Sequence, residues 1–526
     1  MRKLLLLTFV VVIGAVGRTA PAETSPASLS EFFKPGVVLQ DRNGDNAIDF
    51  VDARIVLVPQ PTSVELAAAA NVAARLGFET SAMDLPFVRV DEGGQASETG
   101  ATIFVGARSL ARADVTAASI GGPSLKAGEG LVAAFTLSGK PAVAAIGGDD
   151  NGLTAAALML AGHLPYVWDQ KGPTADKIAE DVKQFLAGKG VQVSSAVATA
   201  IQVRAGSSGA ERVVVALQMA NGGEVIKGQV ALNQFKATSA RDANRPMSYA
   251  NLRGVQVRMR APGMGVIAVD LPGAAAPDAA GLPPARRPGG GANAKENFDL
   301  SSFYTIEGAL SDSDNNLIPD RVDVLLSADR DGSDGVVDLA AGLGLESTGV
   351  SLPMAKPPKA ITEPESEPIL VLIGASHPLI DQLVKSRKFE LPSLQPGEGL
   401  IKIVKKAFGE KSALVVLGGD AAGLDRAVRQ VAEKFPHIWQ RGKDRTTLDD
   451  VEEDVRKFVA GRSPSGQAAM GLYKLGKLAD RLKGKDLASA HVKLFVEKAA
   501  DGLADLVKRD ATSRIPTPSL TVRYTP

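Results

Sequence analysis

An internal repeat covers most of this chain of 526 residues. The stretches 29–188 and 300–461 carry the same kinds of residues in the same order, mostly 271 positions apart. The spacing changes by a few residues within the repeat and returns to 271 at Trp168 and Trp439, which are the only two tryptophans. Because small changes in spacing that recover are typical of loop insertions, we predict two modules of the same fold.

The composition is that of ordinary globular domains. Hydrophobic residues make up 45% and charged residues 22% of the chain, so there is enough apolar material for several cores. The 59 acidic and 59 basic residues balance, and this balance gives no support for a nucleic-acid partner. Cysteine is absent, and stability must therefore come from packing or from bound ions.

The N-terminal residues 1–22 are predicted to be a signal peptide. Arg2 and Lys3 precede an apolar run over 4–16, and Ala20-Pro21-Ala22 provides the small residues of a cleavage site. The run is short for a membrane-spanning helix, and an uncleaved anchor is the alternative. No later stretch is apolar enough to span a membrane. We therefore expect export to the periplasm or the exterior of a bacterium.

Each repeat begins with an acidic loop that leads into a strand and then a helix. The first helix begins at a capping box, Thr62-Ser-Val-Glu65. Gly77 and Gly344 are predicted to end the first helix of each repeat. The predicted strands are 53–58 and 322–326, and the predicted helices are 64–76 and 335–343.

The rest of each repeat alternates short apolar strands with helices, which favours the α/β class. We predict two repeated α/β sandwich modules with mainly parallel sheets, separated by a smaller α+β spacer module. The sequence after the second repeat resembles the spacer and stops within it, so we expect a longer protein of which this is the N-terminal part; a natural end at Pro526 is the alternative. The predicted spacer is 190–271, the flexible Pro/Gly/Ala linker is 272–299, and the incomplete second spacer is 463–526.

The acidic loops are the strongest candidates for a binding site. Oxygen ligands stand at loop positions 1, 3, 5, 9 and 12, and a backbone carbonyl at position 7, as calcium prefers. The loops resemble those of EF-hand, dockerin and thrombospondin type 3 repeats, which implies structural calcium. The predicted ligands are Asp41, Asn43, Asp45, Ala47, Asp49 and Asp52 in the first loop, and Asp312, Asp314, Asn316, Ile318, Asp320 and Asp323 in the second.

Both loops depart from the calcium-binding pattern. Position 6 holds Asn46 and Leu317 instead of glycine, and position 12 is aspartate instead of the longer glutamate. Leucine adopts a left-handed backbone less readily than asparagine, so we expect weaker binding in the second loop. The alternative is an Asx-rich turn whose side chains bond to their own backbone.

Two further pairs of acidic residues invite a functional interpretation. Asp149 and Asp420 follow Gly-Gly at the start of a helix, where a glycine turn could hold phosphate. We predict that they cap the helix, because a carboxylate there repels phosphate. Glu129 and Glu398 each lie in a Gly-Glu-Gly sequence. We predict that both are turn residues and that neither acts as a general acid or base.

The sequence shows no recognisable catalytic constellation, and no catalytic or cofactor-binding residue is assigned. The four histidines stand in no zinc-binding motif, and there is no Gly-x-Ser-x-Gly motif. Trp168 and Trp439 each follow a Pro turn, where they could stack on a sugar; we predict that they anchor a helix end by packing.

The run from Gly128 through Gly147-Gly-Asp149 to Trp168 resembles the α/β module that precedes the catalytic barrel in glycoside hydrolases of the hexosaminidase and α-glucuronidase type, and Gly397 to Trp439 has the same pattern. The resemblance covers about a third of each repeat and implies a non-catalytic module. We therefore expect an exported scaffold region of a larger secreted or cell-envelope hydrolase. One alternative is a glycoside hydrolase or zinc metallopeptidase whose catalytic domain follows Pro526. The other is a module that binds a polysaccharide or cell-envelope component.

Overall fold

The structure is a computed structural model. It describes residues 28–42, 48, 50–80, 86, 88–90, 100–122, 124–164, 174–188, 192–206, 209–221, 224–233, 255–261, 265–271, 295, 298, 300, 303–313, 319–330, 332–434, 440–441, 444–445, 491–497 and 519–525.

The first half alternates strands and helices, as the sequence predicts. A hairpin of two very short strands precedes the main sheet, and a π-helical turn over Met159–His163 follows the third helix. The elements are β1 (Leu39–Gln40), β2 (Phe50–Val51), β3 (Ala53–Leu57), α1 (Ser63–Glu79), β4 (Val88–Val90), β5 (Ala101–Val105), α2 (Ala107–Arg112), β6 (Glu129–Leu137), β7 (Lys140–Gly147), α3 (Asp150–Leu158) and α4 (Ala175–Gly188).

The region predicted as a spacer module extends the first sheet. Among its described residues there are strands and no helix, and the first of them pairs with β6 in antiparallel orientation. The sheet therefore has ten described strands, in the order β12-β11-β10-β9-β8-β6-β7-β5-β3-β4. The added strands are β8 (Ser195–Gly206), β9 (Gly209–Asn221), β10 (Glu224–Asn233), β11 (Val255–Ala261) and β12 (Gly265–Leu271).

The second half begins within the stretch predicted as a linker, because Phe298 is buried in the core. A π-helical turn over Gln430–Lys434 again follows its third helix. The elements are β13 (Leu310–Ser311), β14 (Arg321–Val322), β15 (Val324–Ala328), α5 (Gly335–Leu345), β16 (Ile369–Ile373), α6 (Pro378–Lys385), β17 (Gly399–Phe408), β18 (Lys411–Gly418), α7 (Ala421–Arg429), β19 (Gln440–Arg441), β20 (Asp444–Arg445), β21 (His491–Glu497) and β22 (Ser519–Thr525).

Both halves share one strand order. In the first half β3, β5 and β7 are parallel neighbours and β6 is antiparallel to β7. In the second half β15, β16 and β18 are parallel neighbours and β17 is antiparallel to β18. The helices also correspond, since α1 and α5 follow the first strand while α2 and α6 follow the second. The structure thus belongs to the α/β class.

One hydrophobic core joins the two halves. Inward-facing residues of both sheets belong to the same buried cluster, together with α1, α3, α5 and α7. The outer face of each sheet has its own smaller cluster, which α2 covers in the first half and α6 in the second. The order of layers is therefore helix, sheet, shared helices, sheet, helix, in which α1 and α5 pack against each other at the centre.

The central pair of helices explains two differences from the sequence predictions. Gly77 and Gly344 do not end their helices, which continue to Glu79 and Leu345. A Cβ atom on Gly344 would overlap the carbonyl oxygen of Ala74 in α1, so glycine here permits close approach of two backbones. The alanine-rich sequence of α1 serves the same contact, because small side chains allow the helix to be buried on all sides.

Candidate functional site

A cavity of about 1410 Å³ lies between the two halves. Its walls come from loops that follow β3, β5 and β7 in the first half and β15 and β18 in the second. In α/β proteins ligands bind beyond the carboxyl ends of the strands, where neighbouring strands send their helices to opposite faces of the sheet. The helices after β3 and β5 separate in this way, as do those after β15 and β16, so this cleft is the candidate functional site.

The floor of the cleft is one face of α1, and it is linked directly to the second half. Val64, Ala67 and Asn71 lie one helical turn apart along this face. The Asn71 side chain is buried, and its Nδ2 donates to the Ala355 carbonyl oxygen at 2.9 Å. Its Oδ1 accepts hydrogen bonds from the backbone N–H groups of Met354 (2.7 Å) and Ala355 (3.0 Å). This asparagine therefore fixes the width of the cleft at its base.

The wall from the first half is organised by Glu65. The predicted capping box is confirmed: Glu65 Oε2 accepts from the Thr62 N–H at 2.8 Å, and Thr62 Oγ1 accepts from the Glu65 N–H at 3.1 Å. The same carboxylate accepts from Arg108 Nε at 3.1 Å, and this hydrogen bond raises the pKa of the Arg108 guanidinium above its ordinary value. Gly106, at φ +88°, leaves space for the carboxylate, because a Cβ atom there would lie 2.7 Å from Glu65 Oε1.

Arg429 organises the wall from the second half. Its guanidinium donates from Nη1 to Asp338 Oδ2 at 2.6 Å and from Nε to Asp425 Oδ2 at 2.9 Å, and Nη2 lies 3.4 Å from Asp334 Oδ1. Ser333 Oγ donates to the other oxygen of Asp425 at 2.6 Å. Asp338 is fully buried, and burial raises the pKa of the Asp334 carboxyl. One guanidinium thus ties the start of α5 to α7.

The open part of the cleft carries exposed polar side chains of both charges. Asp150 and Asn151 project at the start of α3, and Lys359 lies on the segment that faces α1. Such groups can hydrogen-bond to a polar ligand, whereas the carboxylates of Glu65 and Asp425 already bind cations of the chain.

The Gly-Gly-Asp turns form helix caps, as predicted. Asp149 Oδ1 accepts from the Gly152 N–H at 2.8 Å, and Asp420 Oδ1 accepts from the Gly423 N–H at 2.7 Å. The hydrogen bond from Gly423 lowers the pKa of the Asp420 carboxyl. In both halves a carboxylate thus occupies the position that a phosphate would need.

The glutamates of the Gly-Glu-Gly turns bond to the backbone of their own turn. Glu129 Oε2 accepts from the Lys126 N–H at 3.0 Å, and Glu398 Oε2 accepts from the Gln395 N–H at 2.8 Å. The hydrogen bond from Lys126 lowers the pKa of Glu129, whose other oxygen accepts from Arg204 on β8 at 2.9 Å. Glu398 lies outside the strands, directly before β17, as predicted for a turn residue, whereas Glu129 is the first residue of β6 and pairs with Arg204 of β8.

The acidic loops are described only in part. Of the predicted calcium ligands, Asn43, Asp45, Ala47, Asp49, Asp314, Asn316 and Ile318 lie outside the described residues. In the first loop Asp52 Oδ2 accepts a hydrogen bond from the neutral amide of Gln40 at 2.8 Å. Asp41 lies at the other end of that loop, at the edge of the described segment. The hydrogen bond from Gln40 thus joins Asp52 to a neutral group.

In the second loop the corresponding carboxylate, Asp323, is already bound by two cations. Arg321 Nε donates to Asp323 Oδ1 at 2.5 Å, and Lys295 Nζ lies 3.4 Å from Oδ2. Ser311 Oγ also donates to Oδ2. Asp320, nearer the centre of the loop, accepts from the Ser313 N–H at 3.0 Å, as in an Asx-rich turn. These contacts favour the first loop over the second as a calcium site.

Lys295 occupies a cage of oxygens that the sequence does not indicate. Its side chain is partly buried, and its ammonium group donates to three backbone carbonyls in addition to its ion pair with Asp323. Burial lowers the pKa of this ammonium group, while the carboxylate opposes that effect. The carbonyl oxygens are those of Ile306 (3.1 Å), Gly308 (2.8 Å) and Leu310. The lysine therefore supplies this loop with a cation from the chain itself.

His377 lies away from the cleft, between β15 and α6. Its imidazole is fully buried, Nδ1 accepts from the Leu379 N–H at 3.2 Å, and Nε2 lies 3.0 Å from Ser327 Oγ. A neutral ring that carries its proton on Nε2 satisfies both contacts. Burial lowers the pKa of His377 to about 4, so this histidine is a neutral cap of α6.

We expect His377 to make stability depend on pH in acid. The His377 imidazole binds a proton near pH 6.5 in the unfolded chain and near pH 4 in the folded chain. The stabilisation that the neutral ring contributes is therefore complete above pH 6.5 and is lost as the pH falls toward 4. Wild type should lose about 3 kcal/mol more unfolding free energy than His377→Asn between pH 7 and pH 4. Urea titrations at both values measure this, and parallel pH profiles would contradict it.

Trp168 and Trp439 lie outside the described residues, as does the histidine side chain at 163. Among the described residues, no group of three or more His, Cys, Asp or Glu side chains has an arrangement that could hold a metal ion. In the part of the chain that the structure covers, no helix combines the length and apolar character needed to cross a bilayer.

Comparison with known proteins shows no protein family for this chain. No model of a protein family matches the sequence, and no curated protein shows significant similarity to it.

Proposed function

We propose that this chain is an exported, non-catalytic scaffold region of a larger secreted or cell-envelope hydrolase. The observation that carries the proposal is the core shared by both halves, in which α1 and α5 are buried against each other. A rigid body of this kind suits a region that holds other parts of a protein at a set distance. The cleft supports the same role, because the buried hydrogen bonds of Asn71 link its two walls and the ion pairs of Arg429 hold together the wall from the second half.

The carboxylates in and behind the walls of the cleft support a structural role. A general acid or base must exchange a proton with the substrate in a positioned geometry. Glu65 instead caps α1 and binds Arg108, and Asp338 and Asp425 bind Arg429. These carboxylates therefore stabilise the fold, as expected in a non-catalytic scaffold.

The scaffold proposal is tested by unfolding each half with its own probe. Trp439→Phe leaves Trp168 to report on the first half, and Trp168→Phe leaves Trp439 to report on the second. We expect both fluorescence transitions in urea to coincide with the loss of circular dichroism, because one core unfolds once. Two separate transitions would contradict a shared scaffold, and turnover of chromogenic glycosides by the purified chain would contradict a non-catalytic one.

Structural calcium in the first acidic loop is part of the proposal. Calcium would be held by the carboxylates of Asp41 and Asp52 together with the loop residues between them, where it would neutralise clustered negative charge. In the second loop Lys295 and Arg321 perform this neutralisation for Asp323. A calcium ion would thus neutralise the carboxylates of the first loop, as Lys295 neutralises Asp323 in the second loop.

We expect chelation to destabilise the protein through the first loop alone. Saturating calcium at one hundred times its dissociation constant stabilises a protein by about 2.7 kcal/mol. Asp45→Ala removes a ligand from the first loop, and Asn316→Ala is the matched change in the second. EDTA should lower the melting temperature of wild type and Asn316→Ala equally and leave Asp45→Ala unchanged. A wild type insensitive to EDTA would remove the calcium proposal.

A second candidate function is binding of a polysaccharide fragment or cell-envelope component in the cleft. The position of the cleft at the carboxyl ends of the parallel strands of both sheets, and the exposed groups of Asp150, Asn151 and Lys359, favour it. Soluble cell-wall oligosaccharides should raise the melting temperature of wild type and raise it less in Asn151→Ala. An equal shift in both proteins, or none, would count against binding at this cleft.

A further inference from the structure

The sheet of the second half ends at an open edge. Within the described residues, β17 bonds to β18 on one side and to no strand on the other. Its regular pairing runs from Gly399 to Val404 and is interrupted by a bulge before Phe408. Leu400, Ile401 and Ile403 on this strand are only partly buried. An open edge with apolar side chains invites pairing with another strand.

The corresponding strand of the first half shows what covers such an edge. There β6 occupies the position of β17, with Gly130 opposite Gly147 as Gly399 is opposite Gly418. The outer edge of β6 pairs with β8, which brings Val132 opposite Ile201. With that strand in place, the side chain of Val132 is fully buried. The strand β6, which has a neighbouring strand on each side, is thus more deeply buried than β17, which has one described neighbour.

A hairpin further along the chain has the form that this edge needs. In the first half β6 is followed in sequence by the antiparallel pair β8 and β9, and in the second half β17 is followed by the antiparallel pair β21 and β22. Each outer edge of the β21–β22 pair is open within the described residues. With seven residues, β21 is long enough to pair with all six residues of β17 that precede its bulge.

We propose that the outer edge of β17 is the docking surface for β21 of the same chain, in antiparallel pairing, so that the second sheet continues through the β21–β22 hairpin. The pairing would satisfy the open backbone groups of Gly399 to Val404 and cover Ile401 and Ile403. The bulge that follows Val404 contains Lys405 and Lys406, and lysine on an edge opposes pairing. The docking surface therefore ends at these lysines, which oppose the pairing of a further strand residue.

The chain contains no cysteine, so an introduced pair of cysteines reports contact directly. One cysteine is placed at Ile401, and a second is placed in turn at each residue from 491 to 497. We expect an intramolecular disulfide at alternate positions of β21, strongest at one of them, because facing side chains alternate along a strand. Moving the fixed cysteine from Ile401 to Leu400 should shift the disulfide to the other set of positions.

The first half provides the matched positive control, because Val132→Cys with Ile201→Cys joins residues that lie directly opposite each other. Mobility on non-reducing gels and mass spectrometry distinguish links within one chain from links between chains. Circular dichroism confirms that each variant is folded. If the control pair links and none of the seven pairs does, the proposal is overturned. Links found only between chains would assign the edge to a second copy and would equally overturn it.

Discussion

Arg429→Met is expected to cost about 3–5 kcal/mol of unfolding free energy. The guanidinium donates to Asp338, whose side chain is fully buried on α5, and to Asp425 on its own helix. Methionine has a similar length but no charge, so the buried carboxylate would lose this cation. Breaking a buried ion pair on one side is costly because the desolvated charge that remains is not compensated. Urea denaturation at pH 8 measures the loss.

Three comparisons separate this effect from a general loss of packing. Arg426→Met, on the exposed side of the same helix, should change stability by less than about 0.5 kcal/mol. The double variant Asp338→Leu with Arg429→Met should recover much of the loss, because the fully buried carboxylate of Asp338 is then absent as well. The loss should also be smaller at pH 5 than at pH 8, since desolvation of a carboxyl group that lacks its cation favours the neutral, protonated form. Equal losses at pH 5 and pH 8 would contradict this explanation.

Gly344→Ala is expected to destabilise both halves together, by about 2–3 kcal/mol. A methyl group at this position overlaps the Ala74 carbonyl oxygen and lies 3.1 Å from the Phe78 nitrogen, both of which belong to the backbone of α1. Backbone atoms cannot rotate away, so the two central helices must separate. Alanine also favours the helical state by roughly 1 kcal/mol relative to glycine, and the expected value includes this gain.

Gly188→Ala is the matched control, at the end of α4. It lies on an exposed surface where a Cβ atom meets nothing within 4 Å, so the change should be neutral or slightly stabilising. Single-tryptophan versions of Gly344→Ala follow each half separately, and both midpoints should move by the same amount. If only the second half were destabilised, the two halves would not share a core.

Much of the fold could be predicted from local patterns. The strands that follow the acidic loops, the capping box of Thr62 and Glu65, and the caps at Asp149 and Asp420 depend on neighbours in sequence. Side chains and backbone groups three residues apart meet whatever the rest of the chain does. For that reason the sequence predicted these features correctly.

The candidate site could be predicted only in part, because its decisive contacts are distant in sequence. Arg429 meets Asp338 across 91 residues, and Asn71 meets Ala355 across 284. Lys295 lies in the stretch predicted as a flexible linker, and no local motif distinguishes it from a solvated lysine. Pairing between the halves decides which of these polar residues are buried, and no pattern within either repeat contains that information.

By itself the sequence determined the class of fold, the alternation of strands and helices in each half, and the helix caps, because short-range hydrogen bonding and the alternation of apolar residues specify them. Only the tertiary structure decided that the halves share a core, that Gly344 serves close helix packing instead of ending a helix, and that the presumed spacer continues the first sheet. The physical reason is that burial depends on which surfaces meet, and these surfaces come from segments far apart in the chain.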